Sequence, residues 1–201
     1  MPEAMPETKS LALPRRDAAL FVLWFAGLIA ATIGADLLLH RLDLPWVGRW
    51  LGPLGSLLIA IGLLPFSLRK RGLTRLGDPA RVLGIHQATG WIGALMITAH
   101  AGIHFNALLP WLALAALVLA LGSGLAGLLL IQRERRHFAD LRSALVGQGL
   151  TPPEVETQVF WDALALDLTR SWRRAHAALA AILTALALVH IASVTMFWRG
   201  L

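Results

Sequence analysis

Two stretches of equal length decide how this chain is read: HQATGWIGALMITAH, residues 86–100, and HAALAAILTALALVH, residues 176–190. Each opens and closes on a histidine, with an apolar run between. Fourteen residues is close to four α-helical turns, so both histidines of a pair fall on one helix face. Helical rise separates them by about 21 Å along the axis.

Outward from these stretches the chain is a series of apolar blocks. Of its 201 residues 57% are hydrophobic and 15% charged, against about 25% charged in a soluble domain. Five blocks approach the ~20 residues that cross a bilayer core. They run from about Ala18 to Leu39, Leu51 to Leu68, Val82 to Phe105, Trp111 to Ile131 and Ala175 to Phe197. The expected fold is all-α, an integral membrane bundle of five transmembrane helices. Pro53 and Pro65 lie near the ends of the second block, and Pro110 marks a turn between the third and fourth. Cysteine is absent, which excludes disulfides, thiolate-ligated haem, iron–sulfur clusters and covalent c-type attachment. The first block is too long for a signal-peptide core and follows a polar stretch, so no cleavable signal is expected.

The net charge of +6 would suggest nucleic acid in a soluble protein. Here the basic residues sit at span ends, so topology accounts for them and no nucleic-acid partner is expected. With the N-terminus inside, only Arg41, Arg49 and Arg199 of the 18 Lys and Arg fall outside. That asymmetry calls for an odd number of spans and a C-terminus outside. It makes spans three and five parallel without reference to the histidines. Residues 1–17 become a cytoplasmic tail and 18–198 a membrane domain with a cytoplasmic insert, 133–172. The insert reads as two short helices parted by Gly147, Gly149, Pro152 and Pro153. Thr151 and Glu154 form a capping-box pattern, and Val155 to Leu168 is amphipathic, suited to a membrane surface or to a soluble partner. The Ala, Leu and Arg content points to a bacterial inner (cytoplasmic) membrane.

Histidine within a membrane span is costly without a partner or a task. Depth matching on parallel helices sets His86 opposite His176 on the cytoplasmic side and His100 opposite His190 nearer the outside. Two stacked bis-histidine haems fit this pattern, with iron bound through neutral imidazole and both axial positions filled. The expectation is two haem b groups in a four-helix haem-binding core. His104, one turn beyond His100, is the alternate outer ligand. Gly93, midway between His86 and His100 on their face, would leave room for a flat macrocycle. Gly90, Gly102 and the alanines of span five add to this. Arg81, Arg173 and Arg174 are candidates for the inner propionates. Asp36 is expected to pair with His40 or Arg41 at the interface. Gly122, Ser123, Gly124 and Gly127 make a bare face on span four, read as close packing against span three or five.

With these residues in view, the chain resembles the ferric reductase-like transmembrane family, which includes the membrane part of NADPH oxidases. The two quoted stretches and the WRRAH before span five carry the resemblance over about residues 50–198. The same spacing occurs in the cytochrome b of quinol:cytochrome c complexes. The resemblance implies haem b and electron transfer. Family members usually add a flavin and nicotinamide domain. This chain runs only to Leu201 and has no glycine-rich dinucleotide fingerprint. The resemblance therefore implies an electron-transfer subunit of a membrane oxidoreductase, not a catalyst by itself. Its redox partner would be a separate protein or quinone, in a hetero-oligomeric complex. A quinol- or quinone-reactive anchor, a metal transporter and a structural subunit without haem remain alternatives. A transporter would need carboxylates among the histidines, where only Asp36 lies within a span.

Overall fold

The computed structural model describes residues 15–70, 72, 78–102, 107–151, 153 and 160–197. Helix α1 (Arg15–Arg41) is followed by α2 (Pro45–Lys70), α3 (Pro79–Ala101) and α4 (Leu108–Ala126). A single π turn, Gly127–Ile131, joins α4 to α5 (Gln132–Gly147), and α6 (Phe160–Phe197) completes the order. Five segments are long and apolar enough to cross a membrane: Arg16–Arg41, Pro45–Leu68, Pro79–Ala101, Leu108–Leu129 and Arg170–Phe197. The fold is thus an all-helical bundle of membrane-spanning character, with no strand among the described residues.

Helix ends follow local chemistry. At the end of α1, Leu44 N–H reaches Leu39 O (2.9 Å) and Asp43 N–H reaches His40 O (3.2 Å). This is a Schellman closure, with Asp43 in the left-handed region at φ 55. Pro45 then opens α2 at a position where a missing N–H costs nothing. The second span therefore begins six residues ahead of the expected Leu51. Pro53 and Pro65 both lie inside α2. Asp78 caps α3, its Oδ2 accepting from Arg81 N–H at 3.2 Å, with Pro79 in the first turn. Gly102, at φ 53, stops α3 short of the expected Phe105. Pro110 does not mark the turn before span four: it falls in the first turn of α4, where proline is tolerated.

The insert differs from expectation. Its first helix is α5, closed by Gly149 at φ 82 with Gly149 N–H on Val146 O. Of the second, the described part is not separate from span five. From Phe160 onward the chain is one 38-residue helix continuous with span five. At ~1.5 Å per residue it is about 57 Å long, nearly twice the bilayer core. No helix breaker stands between Phe160 and His176, so propensity and the pull of span five carry the helix through. The expected capping partner Glu154 and the start of the amphipathic stretch lie outside the described residues.

Small residues set the packing. The most extensive contact is between α2 and α3, which meet almost backbone to backbone. A Cβ on Gly55 would stand 2.7 Å from Gly93 O, and one on Gly93 would stand 2.7 Å from Gly55 O. A Cβ on Gly62 would collide with the Thr89 hydroxyl. Helix α1 lies on α3 through Trp24 and Phe25 against Trp91 (centroids 5.0 and 6.1 Å). A Thr32–Thr98 hydroxyl hydrogen bond of 2.8 Å ties the same two helices. Helices α4 and α6 form the second close pair, and α3 joins the two pairs through α4. Helices α3 and α6 do not pack extensively on each other.

The buried apolar set is small: Val82, Ala94, Ala99, Ala116, Leu117 and Leu125. Leucines and isoleucines such as Leu23, Leu57, Leu64 and Leu188 point outward. Such a surface suits lipid, where helix association depends on close packing and polar contacts.

Candidate functional site

The histidines of α3 and α6 form two pairs. His86 lies within electrostatic range of His176, and His190 within range of His100. The two encounters occur in the same order along both helices, so α3 and α6 run parallel. The backbones of the two helices do not pack closely on each other. All four are partly buried.

Neighbouring helices fix three of the rings. His100 Nδ1 lies 2.9 Å from Gly48 O of α2. A carbonyl only accepts, so Nδ1–H is the donor in this contact. The ring lies against Gly52, where a Cβ would stand 2.5 Å from Cδ2 and 2.7 Å from Nε2. His86 stacks on Phe66 of α2, with centroids 4.8 Å apart and planes 12° apart. His176 stacks on Trp172 (5.6 Å, 17°) and lies beside Gly124 of α4, whose added Cβ would be 3.5 Å from Cε1. Trp172 in turn donates its indole N–H to Ser123 O at 2.8 Å.

The donor set suits bis-histidine haem. It offers two imidazole pairs at two levels, one ring with its Nδ1 held by a backbone carbonyl, and a glycine at His100 where any side chain would intrude. Among the described residues no group of three or more His, Cys, Asp or Glu side chains could cage a metal ion. A haem iron needs only two axial residues at each level.

Gly93 is corrected. It does not open space between α3 and α6, because the backbone of α2 at Gly55 and the side chain of Ile59 occupy the place of its absent Cβ. The bare face of α4 also divides. Gly124 and Gly127 turn toward α6, while Gly122 faces Phe21 and Phe25 of α1 at 3.6 Å. Arg81, Arg173 and Arg174 are exposed near the N-terminal ends of α3 and of the α6 span. Arg174 Nη2 reaches Ser171 Oγ at 3.4 Å. Asp36 pairs with His40 (Oδ1 to Nδ1, 3.5 Å), and His40 Nδ1 also lies 2.8 Å from Asp36 O. His104 lies outside the described residues.

Sequence reasoning did not single out Phe66, Gly48, Gly52 or the contacts of Trp172. Trp172 stands four residues before His176, a spacing that places two rings on one helix face, so the signal was present. The α2 partners carry no such signal, since they depend on how α2 registers against α3.

Comparison with protein-family models, curated proteins and solved structures finds no match to this chain.

Proposed function

We propose that this chain is a di-haem b-type cytochrome, the transmembrane electron-transfer subunit of a membrane oxidoreductase. The observation that carries the reading is order: His86 lies within electrostatic range of His176 and His190 within range of His100, in the same sequence along both helices. Ionisable side chains inside a bilayer are rare and most often serve function. Haem b at each level would supply a one-electron carrier with both axial positions taken by imidazole.

His86 and His176 would hold the inner level, and His100 and His190 the outer. The Gly48 carbonyl accepts the Nδ1–H of His100 and so orients its ring. Phe66 and Trp172 cover the inner rings with aromatic surface, which keeps water from them. Arg81, Arg173 and Arg174 stand at the inner helix ends, suited to anionic propionates. Redox partner proteins or quinone would exchange electrons at the two membrane faces, within a hetero-oligomeric complex. The Lys and Arg distribution supports a bacterial inner membrane location with the N-terminus cytoplasmic and the C-terminus outside.

The test is a reduced-minus-oxidised spectrum of the protein purified in detergent, with a haem-to-protein ratio. Sharp b-type bands and two haems per chain are expected, with one lost in His176→Ala and one in His100→Ala. A folded protein without haem overturns the reading.

A further inference from the structure

Three contacts converge on one indole. Trp172 stands one turn before His176 on α6, and its Nε1–H donates to Ser123 O of α4 at 2.8 Å. The indole body fills the space that a Cβ on Gly127 would need. Its plane lies 17° from that of His176, with centroids 5.6 Å apart, an offset-stacked arrangement. Ser123 O also accepts the backbone N–H of Gly127, so the carbonyl uses both lone pairs. Gly127 opens the π turn 127–131, and π turns recur at functional sites in helices. The indole is thus held at its N–H, by its seat and along its face.

We propose that Trp172 is a positioning residue for His176, fixing the ring plane of one inner axial ligand from the π turn of α4. The inference rests on the di-haem reading. A histidine side chain turns about two dihedrals, and a wide π-surface held parallel to the ring restricts the second. Ring plane governs the overlap of imidazole with a haem iron, and so the magnetic anisotropy of the ferric state and its potential. The outer level uses a different device: His100 is fixed by the Gly48 carbonyl. Loss of the Trp172 clamp therefore acts on the inner level alone.

The test compares wild type with Trp172→Leu, Trp172→Phe and Gly127→Ala, each purified with its haem. Electron paramagnetic resonance of the oxidised protein and a redox titration are the readouts. The inner signal is the one lost in His176→Ala. Trp172→Leu is expected to shift the inner g-values and one midpoint potential, with the outer signal and the haem ratio unchanged. Gly127→Ala keeps the indole but closes its seat, and is expected to reproduce that shift. The Trp172→Leu/Gly127→Ala double variant is expected to show no more than Trp172→Leu alone, because both remove the same contact. Trp172→Phe keeps a ring without the N–H, and a smaller shift in the same direction is expected. Inner signals at wild-type values in Trp172→Phe and Gly127→Ala overturn the proposal, and these two variants decide it if Trp172→Leu fails to fold. Equal movement of both haem signals also overturns it, making Trp172 a general packing residue. A wild-type spectrum without haem removes the di-haem reading and this inference with it. Failure of the clamp alone leaves that spectrum intact.

Discussion

The α2–α3 and α4–α6 seams are both lined with glycine, yet the glycines do opposite things. At α2–α3 the space left by Gly55 and Gly93 is filled by the other helix's own carbonyl, 2.7 Å from each missing Cβ. At α4–α6 the space beside Gly124 and Gly127 is filled by side-chain rings, His176 and Trp172. One seam is a rigid joint between backbones. The other is a seat for side-chain rings. Glycine in a membrane helix therefore marks close approach, and what approaches decides the cost of changing it.

The largest effect follows from closing the rigid joint. Gly93→Val sets a branched side chain against the α2 backbone, which cannot turn aside. A loss of about 3 kcal/mol, at the upper end for overpacking, is expected, read as a lower unfolding midpoint in detergent. A wild-type midpoint would mean that the two seams do not differ. Gly127→Ala asks the same of the soft seam. Its Cβ meets a side chain and not a backbone, so a smaller loss of about 1–2 kcal/mol is expected. Both midpoints measured side by side rank the seams directly.

Smaller changes sharpen the contrast. Thr98→Val removes the Thr32–Thr98 hydrogen bond that ties α1 to α3. Interhelical bonds of this kind average about 0.6 kcal/mol in a membrane protein, and a loss of that size is expected from the same unfolding assay. The smallest effect belongs to Gly124→Ala. Its Cβ would meet His176 at 3.5 Å, ordinary contact distance, and a change within about 0.5 kcal/mol is expected. A large loss there would show that the soft seam is as tightly filled as the rigid one.

Much of the architecture was legible because a bilayer demands it. Five apolar blocks near span length had to be helices, since no other open structure satisfies its backbone in lipid. The charge asymmetry gave an odd number of spans, and equal intervals gave two histidine levels. The Asp36–His40 pair was readable from its one-turn spacing. Boundaries were less legible. Pro45, Pro110 and Gly102 moved span ends, because a first-turn proline and a glycine at positive φ act through local geometry. The continuity of α6 was missed because a charge-rich insert looked like a separate unit, while nothing between Phe160 and His176 breaks a helix.

What the sequence determined by itself is periodicity along each helix: which residues are apolar, and which histidines share a face and at what interval. Helical rise and pitch fix those, and they need no neighbour. What only the tertiary structure decided is rotation and partner. Gly93 lies on the histidine face, yet it joins α2, and the space beside it holds a carbonyl. Trp172 finds Ser123 across a π turn, and His100 finds the carbonyl of Gly48. Those contacts depend on how one helix is turned against the next. Close approach of glycine backbones, and the hydrogen bonds it permits, set that turn, and neither repeats along a single chain.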